Sequence, residues 1–174
     1  KGEISPVFEP PLLLFDSGIV GEKIEKEYSI PSYRLGGVPS PWAVKRLTEL
    51  EGDYTQFRVR KLFPSVVRQI GIARVEAGDE NNQDVSTLIG KVEIRKLEVF
   101  GQADPDAYSY TGGLNRSTPC MMEFVEMFKA PVPTLHPLLT ATPEHQYAGN
   151  ENVGQIPYFG IIIAHSNETE WQQF

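Results

Sequence analysis

Phe57-Arg58-Val59-Arg60-Lys61-Leu62-Phe63-Pro64-Ser65-Val66-Val67-Arg68-Gln69-Ile70-Gly71-Ile72-Ala73-Arg74 is the stretch on which the fold turns. Phe57 and Val59 alternate with Arg58 and Arg60, and Val66, Ile70 and Ile72 follow with Arg68 and Arg74 among them. A period of two puts apolar side chains on one face of a strand and charges on the other, so this spacing predicts half-buried strands. Gly78-Asp79-Glu80-Asn81-Asn82-Gln83-Asp84 has the composition of a turn, and beyond it Val92 and Ile94 alternate with Lys91, Glu93 and Arg95. Past Arg95 the apolar pair becomes Leu97 and Val99, a slip that one extra residue at Lys96 explains as a bulge; the run reads equally as two strands. The expected fold is mainly β, or α+β: an antiparallel sandwich or barrel-like sheet with one or two short helices and long proline-rich loops.

Outward from this core, residues 41–51 carry the clearest helix. Ser40 can cap it, Pro41 suits its first turn, Ala43, Val44, Leu47 and Leu50 line one face, and Gly52 stops it. Residues 119–129 form a second expected helix, with Met121, Phe124, Val125 and Phe128 on one face and Pro131 closing it, although the same β-branched and aromatic content permits a strand. Residues 1–39, broken by Pro6, Pro10, Pro11, Pro31 and Pro39, read as an extended arm or edge strands, and residues 131–158 as a long proline-rich loop. Residues 159–164 read as a buried strand. At 174 residues, all of this fits one domain. Lys1 in place of methionine is expected to mark a processed or truncated start.

Sixteen basic against 23 acidic residues give a net charge of −7, which opposes non-specific binding to nucleic acid or to an anionic membrane. Residues 53–100 hold eight basic and seven acidic residues, whereas residues 101–174 hold two and eight, so any cationic surface comes from the middle of the chain. The apolar runs are far shorter than the roughly 20 residues of a membrane helix. The single cysteine, Cys120, leaves no disulfide framework and no cluster of thiolate ligands. Taken together these features suggest a soluble protein of a reducing compartment or of a particle interior.

Leu13-Leu14-Phe15-Asp16-Ser17-Gly18 resembles the apolar-apolar-Asp-Ser/Thr-Gly signature of aspartic proteases. The resemblance implies a catalytic Asp16 in a retropepsin-like homodimer; Ile19 stands where that family has a small residue, and Ala164 where its partner motif has glycine. Glu144 beside His145, and His136, are further acid/base candidates. Cys120 at the start of an expected helix is a candidate nucleophile. His136, His145 and His165 are nine and twenty residues apart, without the spacing that aims two imidazoles at one metal, so no metal site is expected. Asp104-Pro105-Asp106 does not open a calcium loop, because Ser109 and Asn115 stand where such a loop needs glycine and glutamate. No Gly-Lys-Ser/Thr phosphate loop or dinucleotide fingerprint is present, and no cofactor is expected. Arg58, Arg60, Arg68, Arg74, Lys91 and Arg95 form a candidate nucleic-acid face, with Tyr54 available for stacking, but Glu76, Glu93 and Glu98 interrupt it.

With so little chemistry in view, the expected function is that of a structural or assembly subunit, more a binding protein than an enzyme. It would join copies of itself or a protein partner through its proline-rich segments, as a viral or phage particle component does. An enzyme with a loop-borne acid/base site and a nucleic-acid-binding module are the alternatives.

Overall fold

The computed structural model describes residues 4–77 and 84–173. The turn expected at 78–84 thus lies, but for its last residue, outside the described residues. In chain order the elements are α1 (Ser17–Tyr28), α2 (Pro41–Glu49), β1 (Ile72–Glu76), α3 (Ser86–Ile89), β2 (Lys91–Val92), β3 (Tyr108–Ser109), α4 (Gly113–Ser117), β4 (Met121–Val125), α5 (Val132–Ala141), β5 (Gln146–Ala148), β6 (Gln155–Pro157), β7 (Ile161–His165) and α6 (Glu168–Gln173).

The main sheet has the order β1-β4-β7, and both pairings are parallel. Met122 lies between Ala73 and Ile162, and Phe124 between Val75 and Ala164. On that face Met122 and Phe124 are 0% and 1% exposed, packed into one cluster with Leu88, Leu114, Tyr108, Tyr147, Ile156 and Tyr158. α4 reaches the sheet because Gly113 has no side chain: a Cβ there would stand 2.4 Å from Val75 Cγ2. The opposite face carries Arg74, Glu76, Glu123, Ile161, Ile163 and His165, and it is largely open: Ile161 is 67% and Ile163 50% exposed.

This architecture corrects the expected antiparallel sandwich or barrel. Alternation reports that one face of a strand is buried; it does not report direction. Among the described residues, antiparallel pairing is confined to β2-β3, β5-β6 and one isolated bridge. The stretch 57–70 is not a pair of strands: residues 54–56 make a 3-10 turn, the isolated bridge joins Ser65 to Ile70, and Val59 is 70% exposed. A five-residue 3-10 turn at Ile94–Glu98 replaces the proposed bulge. The helix expected at 119–129 is instead β4 followed by a 3-10 turn, since a residue set that is apolar at nearly every position suits the centre of a parallel sheet. The supposed loop 131–158 contains α5 and the β5-β6 hairpin; two of its prolines, Pro131 and Pro133, fall at the helix start, where their missing N–H groups cost nothing. The supposed arm 1–39 contains α1. The strand at the end of the chain, β7, is exposed where burial was expected.

α2 has the cap its sequence requires: Ser40 Oγ accepts from the Ala43 amide at 3.2 Å and itself donates to Glu9 at 2.5 Å. Glu9 also accepts from the Ser40 amide at 2.7 Å, and burial pushes its carboxyl above the usual range against these hydrogen bonds. Among the described residues no helix is long and apolar enough to cross a membrane.

Because Phe124 sits at the centre of the cluster and Val67 is 96% exposed, the two should respond very differently to truncation. Phe124→Ala is expected to cost about 3–5 kcal/mol in urea unfolding, and Val67→Ala to change stability by less than about 0.5 kcal/mol.

Candidate functional site at the ends of the parallel strands

In an open parallel sheet, ligands bind in the crevice beyond the carboxyl ends of the strands, because there the loops diverge and their polar groups face a common gap. Here that edge is formed by Glu76 after Val75, Glu126 after Val125, and Ser166 and Asn167 after His165. Glu126 has φ 52° and ψ 46°, a left-handed conformation uncommon for a side chain with a Cβ. Ser29, Glu51, Gln69, His145, Glu151 and Asn152 share that conformation, so it marks a tight turn and the place of Glu126 in the sheet is what distinguishes it. The turn Met127–Lys129 begins at Glu126, and Lys129 Nζ returns to Glu126 Oε2 at 2.8 Å. Below this mouth, on the open face, His165 Nε2 lies 3.5 Å from Glu123 Oε1. Across the mouth α6 folds back, with Trp171 and Phe128 ring centroids 5.1 Å apart.

The residues singled out from sequence lie elsewhere. Asp16 caps α1, accepting from the Gly18 amide at 2.8 Å, and has no catalytic neighbour among the described residues. Cys120 precedes β4 at the opposite end of the strand from Glu126, and no histidine bonds to it among the described residues. His136 is exposed on α5. Glu144 and His145 are both exposed; the His145 ring stacks on Phe159 at 6.3 Å and makes no bond to Glu144. The cations are not gathered on one sheet. Arg58, Arg60 and Arg68 lie in the irregular stretch before β1, Arg74 lies on β1, Lys91 belongs to β2, and Arg95 to the turn after it. Asp104 and Asp106 form an ion-pair network with Lys45 at 2.7 and 2.6 Å, and Arg46 reaches Asp106 at 2.8 Å.

Glu123, Glu126 and Asn167 did not emerge from the sequence. The signal was available: Met121-Met122-Glu123-Phe124-Val125-Glu126 and Ile161-Ile162-Ile163-Ala164-His165-Ser166-Asn167 are both apolar runs ending in polar groups, the pattern of parallel strands delivering side chains to one edge.

Residues 2–174 match the sequence model of a family described as PrkA AAA domain. The chain is 57% identical over 174 residues to the serine/threonine kinase YeaG of Escherichia coli strain K12, covering 100% of this chain and 27% of that protein. It is 33% identical over 174 residues to the ATP-dependent protease PrkA of Bacillus subtilis strain 168, covering 97% of this chain and 26% of that protein. The chain therefore spans about a quarter of the length of these curated relatives. A structure of NtrX from Brucella abortus aligns with a TM-score of 0.43 at 11% identity, over 78% of this chain and 27% of that one. The family match overturns the expectation of a structural or assembly subunit, a virion component and a non-enzyme, since the relatives are named as a kinase and a protease.

The ion-pair network makes one pH response specific. Burial pushes the Asp106 carboxyl up, but hydrogen bonds and charge from Lys45 and Arg46 outweigh it and hold it below the ordinary carboxylate range. A folded-state pKa below the unfolded value of about 3.9 means that stability present near neutral pH disappears as pH falls through the folded value. Asp106→Asn should lower the unfolding midpoint near pH 7, and the difference from the wild-type chain should shrink as pH is lowered below about 4.

Proposed function

The chain belongs to the PrkA AAA domain family, and on that premise we propose that it supplies the acidic side of an ATP-using site in an enzyme that acts on polypeptides. The observation that carries this reading is the position of Glu126: a carboxylate at the carboxyl end of the central strand of a parallel sheet. One relative is named as a serine/threonine kinase and the other as an ATP-dependent protease, and ATP-linked action on polypeptides suits both names.

The donor set fits a magnesium ion that arrives with a nucleotide. Magnesium is commonly held by one or two carboxylates together with substrate phosphates, not by an all-protein cage. Among the described residues no three His, Cys, Asp or Glu side chains converge as a metal cluster, while Glu126 stands at the strand ends with Glu123 below it on the same sheet. Bound magnesium nucleotide would bring the transferable phosphoryl group and the charge that offsets it. This chain's residues then position and shield. Glu126 would help hold the cation or accept a hydrogen bond from an attacking hydroxyl. Lys129 fixes the Glu126 rotamer from one side. His165 Nε2 and Glu123 Oε1 face each other at 3.5 Å on the open face. The sequence has no Gly-Lys-Ser/Thr loop, and the chain spans about a quarter of its relatives' length.

The ATP reaction is the chemistry assigned to this chain, because its carboxylate Glu126 lies at the carboxyl ends of the parallel strands. In the full-length protein, Glu126→Gln should reduce ATP hydrolysis by about 10²-fold or more while nucleotide binding is retained. Hydrolysis within about twofold of wild type, measured by phosphate release, would refute the assignment.

A further inference from the structure

We infer that residues 58–64, with the apolar cavity beside them, form a docking strip for an extended acidic polypeptide that carries one large apolar side chain. The inference rests on the proposed action on polypeptides and names where such a chain is gripped, away from the strand ends.

Four observations carry it. First, residues 58–64 have no helix, strand or turn, and among the described residues they make no backbone hydrogen bonds, so a row of N–H and C=O groups stands unpaired in water. Such a row is what an incoming extended segment pairs with when it adds as a strand. Second, a cavity of about 230 Å³ lies between this strip and the amino-terminal segment, lined by Val7, Phe8, Pro11, Leu14, Val59 and Leu62 among others. It is smaller than the roughly 300–1,000 Å³ that encloses a drug-sized ligand, and its walls suit a single apolar side chain. Third, Arg58, Arg60, Lys61 and Arg68 occur with no acidic residue between Asp53 and Glu76, in a chain whose net charge is −7. Arg60 lies over the Phe8 ring at 5.5 Å and Lys61 over Phe63 at 6.0 Å, and none of these cations forms an ion pair among the described residues. Aromatic support holds the charges at the rim of the cavity, where an acidic flank would meet them. Fourth, Glu9, the only carboxylate among the described residues that line the cavity, is already engaged: its oxygens take the Ser40 amide, the Ser40 hydroxyl and the Ser5 hydroxyl, so it does not neutralise the rim.

The unpaired backbone favours a polypeptide over nucleic acid, which offers no matching amide ladder. The test uses full-length protein and fluorescence anisotropy with three probes: a short peptide bearing one phenylalanine between glutamates, the same peptide with lysines for glutamates, and a single-stranded oligonucleotide. The glutamate peptide should bind, more weakly as salt rises, and the other two should not. Arg58→Glu/Arg60→Glu should weaken that binding by about tenfold or more. Val59→Pro, which removes one backbone donor, should weaken it as well, and circular dichroism of both variants should match wild type. Equal binding of the two peptides, preference for the oligonucleotide, wild-type affinity in the double variant, or protection of residues 58–64 from hydrogen exchange before any peptide is added would each overturn the proposal. ATP hydrolysis without peptide should be unchanged in these variants, so failure of the strip leaves the Glu126 assignment standing, and failure of Glu126→Gln to lower hydrolysis leaves the peptide result to be read by itself.

Discussion

The structure depends on β4 being hydrogen-bonded on both sides by parallel neighbours. Only a strand flanked on both edges and packed on one face can satisfy all its backbone groups while burying Met122 and Phe124. Parallel pairing also means that β1, β4 and β7 all run the same way and end at the same edge, so their last residues are delivered to one place without any long-range design of loops. The position of Glu126 is thus a consequence of backbone pairing before it is a matter of side-chain chemistry. The turn that follows, with Lys129 on Glu126 and Phe128 against Trp171, closes that edge with α6.

Much of the periphery is held to this sheet by polar contacts from distant parts of the chain. Asn115, on α4 just before β4, accepts from the Phe8 amide at 3.2 Å and donates to the Pro6 and Tyr110 carbonyls at 3.2 and 2.6 Å. Glu9, next to Phe8 in the same amino-terminal segment, bonds the cap of α2, and α2 in turn carries Lys45 and Arg46 to Asp104 and Asp106. Pieces far apart in sequence are therefore tied by satisfied hydrogen bonds and partly shielded ion pairs. Breaking such a pair costs most where water is partly excluded, which is the case for Asp106, whose side chain is 11% exposed.

The parts of this fold that could be read from sequence were the ones whose signals are local. α2 announces itself through Ser40, Pro41 and Gly52, each of which acts on its own neighbours. The strands could not be read in the same way. Phe57-Arg58-Val59-Arg60 alternates as a half-buried strand does, yet among the described residues it has no partner strand and leaves Val59 exposed, because pairing is a property of what lies opposite. Met121 to Phe128 fits a helical face and a buried strand equally well by composition; what decides between them is the presence of Ala73 and Ile162 on either side of Met122, and these come from residues far away in the chain. The candidate site shared this fate. Its residues come from separate strands and carry no spacing rule, so the search for motifs fell on Asp16 and the histidines, which the fold uses as a helix cap and, for the most part, as surface groups.

A parallel sheet normally has both faces covered, since its strands are linked by crossovers that lay helices on each side. Among the described residues only one face is well covered, and β7, with three isoleucines, has a neighbour on one edge alone. Exposed apolar strands of that kind are unfavourable in water and prone to pairing with other chains.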